Sequence, residues 1–188
     1  MHFRIISIHN KSQAWEKEAL AKYVKQLGSV HSINFIDIAC KHPQNATTEQ
    51  IQLNESKSIL NKLNYDALTI AWDGSRGKTI SSEGLAEFFS SSELITSSMD
   101  FIIGGSHGLA KELLDQVDHI FSASSLTFPH RLFKIILVEQ IFRAIKILEN
   151  HPYHKYPCSL KKGKKKEIAS PIGHSFLLLF LQFYFLQS

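Results

Sequence analysis

Short apolar runs alternate with longer amphipathic stretches along this chain. FRIISI (3–8), INFIDI (33–38), DALTIAW (66–72), MDFII (99–103) and VDHIFSAS (117–124) have the length and β-branched or aromatic content of strands. Between them, residues 12–27 place Trp15, Ala19, Leu20, Tyr23, Val24 and Leu27 at helical spacing. A second helix runs to about Leu63, with Thr47 or Thr48 as its cap. Ser81-Ser82-Glu83 opens a third, to about Phe89, and a fourth ends near Asp115. The longest periodic stretch is 130–148, with Leu132, Ile136 and Val138 on its apolar face and Glu139, Arg143 and Lys146 along one polar stripe. Strands alternating with helices predict an α/β fold built on a parallel sheet.

The pattern changes after HPYHK (151–155). KKGKKKE (161–167) is a charge run, and FLLLFLQFYFL (176–186) is apolar but about half the ~20 residues of a spanning helix. The expected organisation is one domain over 1–155 and a basic, then apolar, tail over 156–188, with no membrane span.

Composition adds bounds. A chain of 188 residues with 44% hydrophobic content suffices for one domain with a real core. The formal charge of +4 is compatible with an anionic partner. Cys40 and Cys158 form no C-x-x-C pair, and no secretory signal opens the chain, so the expected compartment is the cytoplasm. The ten histidines show no metal-ligand spacing, so no metal is expected.

Three loops follow strands: WDGSRGK (72–78), GGSHG (104–108) and SASSLTFPH (122–130). In an open α/β sheet, ligands bind at such carboxyl ends. G-x-G-x-x-G is absent, which argues against a dinucleotide site. GGSHG also spells G-x-S-x-G, the elbow that carries a hydrolase serine, here Ser106. The alternative is a turn whose bare backbone approaches a cofactor. Glu139 and Arg143 read either as a solvated i,i+4 pair or as catalytic groups, and His154 is a candidate acid or base.

The motifs FIIGGSHGL, S-x-x-x-L-T-F-P-H, E-Q-x-x-R-A and the closing P-Y-H-K, in this order, closely resemble the RlmH family over residues 1–155. These are small bacterial methyltransferases of the SPOUT class. The resemblance implies a SPOUT-type parallel-sheet fold with a C-terminal trefoil knot. It implies S-adenosyl-L-methionine-dependent methylation of N3 of a pseudouridine in 23S ribosomal RNA. The substrate would be the intersubunit stem-loop on the assembled ribosome, and the enzyme a homodimer. By the family's pattern, Trp72, Gly104, Ala123, Ser124, Ser125, Leu126, Thr127 and Phe128 would hold the cofactor. Such a reaction also needs the N3 proton removed, for which His154, Arg143 and Glu139 are the candidate catalytic groups. Trp72 stands where leucine is usual, and Phe142 where tyrosine is usual. The competing readings are a ribosome-binding SPOUT protein without turnover and a serine hydrolase using Ser106.

Overall fold

The structure, a computed structural model, describes residues 1–9 and 12–150. The segment 156–188, and with it the expected tail, lies outside the described residues. Six strands form one sheet: β1 (His2–Ile8), β2 (Ser32–Ile38), β3 (Leu68–Trp72), β4 (Lys78–Thr79), β5 (Ser98–Ile103) and β6 (His119–Ser122). Their order is β2-β1-β5-β3-β6-β4, and every pair is parallel. Parallel neighbours need crossovers; four of the five helices connect strands, and the fifth follows the last strand. The five are α1 (Ala14–Gln26), α2 (Thr48–Leu60), α3 (Ser82–Ser92), α4 (Lys111–Leu114) and α5 (His130–Leu148).

Alternation along the strands divides the core in two. Ile5, Ile70 and Phe101 face one side with Trp72, Phe89 and Ile141; Ile6, Ala71 and Ile102 face the other with Ile59 and Leu113. The first layer is covered by α1, α3 and α5, the second by α2 and α4. Local signals fix several ends. Thr47 caps α2 in a reciprocal capping box with Gln50, and Ser81 caps α3 by accepting from Gly84 N at 3.0 Å.

The expected elements are present, with three adjustments. β4 was not expected; two residues in a loop carry no periodicity, and β4 exists because its backbone pairs with Phe121 and Ser122 of β6. β6 is shorter than 117–124: Asp118, just before it, accepts from Thr69 N of β3 at 2.7 Å and Thr69 Oγ1 at 2.6 Å, and Ser124, beyond it, belongs to the next turn. The buried stripe of α5 runs through Ile135, Val138, Ile141, Phe142 and Ile145, so Leu132 and Ile136 lie at its half-buried margin. At the far end of the polar stripe Lys146 pairs with Glu149, just beyond the helix, at 2.6 Å.

The topology places β6 between β3 and β4, which residues 73–77 join directly. That short connection therefore passes over β6. Gly77 makes the passage possible, since a Cβ there would lie 2.3 Å from the carbonyl carbon and oxygen of Phe121.

Candidate functional site

β5, β3 and β6 are adjacent, so the loops leaving their carboxyl ends meet. They enclose one pocket of about 450 Å³. Trp72, Asp73 and Ser75 line it from the first loop, Gly104, Gly105 and Ser106 from the second, and Ala123 to Phe128 from the third. His130 and Phe133, at the start of α5, close it. All eight residues expected to hold a cofactor thus line one cavity.

Each loop is shaped by its own short-range bonds. Asp73 Oδ1 accepts from Ser75 N at 2.9 Å, Ser75 Oγ at 2.7 Å and Arg76 N at 2.9 Å. Burial pushes the Asp73 carboxyl up, but these bonds outweigh it and hold it below the ordinary range. Gly108, at φ +76°, closes the second turn by donating to the Gly105 carbonyl at 3.0 Å. Ser124 Oγ accepts from Leu126 N at 2.9 Å, and Ser122 Oγ donates to the Ser124 carbonyl at 3.0 Å. The third loop is thereby turned on itself, and Leu126, 69% exposed, stands at the mouth.

The pocket's floor is aromatic. Trp72 lies 5.7 Å from Phe133 and 6.0 Å from Phe121, centroid to centroid. It is only 8% exposed, yet among the described residues its indole Nε1 has no hydrogen-bond partner. A buried donor without an acceptor is costly unless a ligand satisfies it. His130 is largely neutral near pH 7, because burial lowers its pKa against the upward pull of the Glu55 charge.

The two described catalytic candidates, Glu139 and Arg143, lie elsewhere. Glu139 Oε1 accepts from Arg143 Nε at 3.0 Å and Nη2 at 2.6 Å, and Gln140 Nε2 donates to Glu139 Oε2 at 2.5 Å. Glu139 and Arg143 are thus brought together, half-buried on α5, but neither lines the pocket. His154 lies outside the described residues.

Two supporting residues on α2 were not anticipated. Gln52 Nε2 donates to the His107 carbonyl at 2.5 Å, and the Glu55 carboxylate packs against Gly105. Both contacts span about fifty positions of chain, so local pattern does not reveal them; only their i, i+3 spacing on α2 places both on one helix face.

The serine elbow does not form. An elbow holds its serine on a sharp strand-to-helix turn. Here β5 ends at Ile103 and α4 starts at Lys111, with Ser106 on an intervening turn. Ser106 Oγ lies 3.1 Å from the ring of its own neighbour His107, and among the described residues no carboxylate is bonded to that ring.

The family described as "Predicted SPOUT methyltransferase" matches residues 1–154. Ribosomal RNA large subunit methyltransferase H from Carboxydothermus hydrogenoformans is 37% identical over 160 residues, covering 82% of this chain and 100% of that protein. The protein of the same name from Clostridium botulinum is 36% identical over the same shares. The chain belongs to the RlmH family of SPOUT methyltransferases. Among solved structures, a tRNA (m1G37) methyltransferase from Aquifex aeolicus is 14% identical with a TM-score of 0.49, covering 98% of this chain and 88% of that one. In this RlmH-family chain Phe142 is 5% exposed, with its ring 6.0 Å from that of Tyr23 and 5.6 Å from Lys146 Nζ. Among the described residues, no group of three or more His, Cys, Asp or Glu is placed to hold a metal, and no helix is long and apolar enough to cross a membrane.

Proposed function

We propose that this chain transfers the methyl group of S-adenosyl-L-methionine to N3 of a pseudouridine in 23S ribosomal RNA, on the assembled ribosome. The observation that carries the reading is the convergence of three post-strand loops on one pocket, in a chain 37% identical to a ribosomal RNA large subunit methyltransferase H. The pocket suits this cofactor in two respects. Its volume is that of a small-molecule site. The orphaned Trp72 Nε1 offers a buried donor to a polar ligand atom.

When bound, adenosylmethionine supplies a methyl group already activated by its sulfonium. The protein's task is then alignment and removal of one proton, and alignment alone can supply about 7–11 kcal/mol in favourable cases. In this reading Trp72, Gly104 and the 123–128 loop fix the ligand. Arg143, oriented by the two bonds it donates to Glu139, stabilises negative charge on the substrate base or holds a phosphate. His154 accepts the N3 proton, an imide being too weak an acid to lose it unaided. Because Arg143 does not line the pocket of its own chain, the reading uses a homodimer in which the second copy brings its polar stripe and closing segment to the site.

The same reading takes the passage of β6 beneath residues 73–77 as part of a trefoil knot. It also takes 1–155 as the active domain, 156–188 as an appendage, and the cytoplasm as the place of work. Labelled adenosylmethionine incubated with the full chain and unmodified ribosomes tests it. Label is expected in large-subunit RNA of intact ribosomes and far less in naked RNA; absence of label from both refutes the reading.

A further inference from the structure

Glu55 is a buried carboxylate for which the proposed reaction has no use. It is 4% exposed and lies behind the 104–108 turn. Its Oε1 meets His42 Nε2 at 3.1 Å, while among the described residues Oε2 has no hydrogen-bond partner. A Cβ on Gly105 would fall 2.6 Å from Oε2 and 2.8 Å from Oε1. Gly105 itself lines the pocket, so a single layer of backbone separates this carboxylate from the cavity. The charge reaches the cavity wall, since it raises the affinity of His130 for a proton.

An ionised carboxylate buried with one oxygen unpaired is costly unless positive charge compensates it. The buried Lys134 at the same end of the sheet is already engaged, 2.5 Å from Asp37 and 3.8 Å from Glu16. The cavity beside Gly105 is where a further cation can come to Glu55.

Resting on the reading of the pocket given above, we propose that Glu55 is a specificity-determining residue that favours a cationic ligand over its neutral counterpart. Adenosylmethionine has net charge +1: a sulfonium and an ammonium against one carboxylate. Methyl transfer breaks the carbon–sulfur bond, leaves the electron pair on sulfur and yields a neutral thioether, adenosylhomocysteine. The attraction to Glu55 is present before transfer and gone after it, so the residue holds the reactant and loosens the product.

The test is titration calorimetry of the full chain with adenosylmethionine and adenosylhomocysteine. A full charge felt across one layer of backbone amounts to roughly tenfold in affinity. Glu55→Gln is expected to weaken adenosylmethionine by about that factor and to leave adenosylhomocysteine within about twofold. Gln52→Lys, on the same face one turn earlier, keeps a donor for the His107 carbonyl and adds an opposing charge without touching the buried group. It is expected to lower the same affinity ratio, and it serves if Glu55→Gln does not fold. Equal weakening of both ligands by Glu55→Gln would show that Glu55 only supports the turn, and an unchanged ratio in Gln52→Lys likewise overturns the proposal. Failure of the unaltered protein to bind either ligand overturns the reading of the pocket, and the proposal with it.

Discussion

Two glycines in one loop, three positions apart, are expected to respond oppositely to the same added methyl group. At Gly77 a Cβ would lie 2.3 Å from the Phe121 carbonyl carbon and oxygen and 2.6 Å from the Asp73 carbonyl oxygen. These are backbone atoms, so no rotamer change relieves the clash. The 73–77 connection must lift from β6, and that loosens the Asp73 N to Phe121 O and Gly77 N to Asp73 O bonds, both 3.0 Å. Overpacking costs about 1–3 kcal/mol, and each weakened bond about 0.5–1.5 kcal/mol. Reduced freedom of the unfolded chain returns about 0.4–1 kcal/mol. The net is a loss of about 3 kcal/mol, which for a domain of this size lowers Tm by about 6–12 °C. At Gly74 a Cβ meets nothing within 4 Å and φ is not positive. Gly74→Ala is therefore expected to leave Tm unchanged or slightly raised. Thermal unfolding followed by circular dichroism decides the matter. Equal melting temperatures for the two variants would refute the claim that Gly77 is required by the close passage over β6.

Two further outcomes are expected. Arg143→Ala should cut methyl transfer by at least a hundredfold while leaving adenosylmethionine affinity within about twofold, since Arg143 does not line the pocket; unchanged turnover removes it from the mechanism. Burial pushes the Asp118 carboxyl up, but bonds from Thr69 outweigh this and hold it below the ordinary value. A depressed folded-state pKa gives stability that is present above the unfolded value, about 3.9, and lost as pH falls through the folded one. Asp118→Asn should flatten that acid limb in denaturant titrations; an identical limb would show that the Thr69 bonds do not tune this group.

Much of the fold is legible in the chain because its signals are local. Helix α5 runs from His130 to Leu148 as its periodicity requires, and Thr47 caps α2 as its residue type suggests. What local pattern hides is contact across the sheet. β4 exists only through pairing with β6, and Glu55 meets Gly105 through the packing of α2 on the glycine turn. Lys134 is an intermediate case. It shares the buried face with Val138, Ile141 and Ile145 at helical spacing, so the sequence marks it as a misplaced charge. The identity of its partners, Asp37 and Glu16, emerges only from the fold. For the site, the three loops are visible as post-strand glycine and serine clusters. Their convergence depends on β5, β3 and β6 being neighbours, an order the sequence does not state.

Mass spectrometry of nuclease fragments from treated ribosomes locates the methylated atom. A single added methyl group is expected at N3 of a pseudouridine in the intersubunit stem-loop of 23S ribosomal RNA, dependent on adenosylmethionine. A methyl group on another base or another atom, or none at all in a preparation that binds adenosylmethionine, would contradict the proposed function.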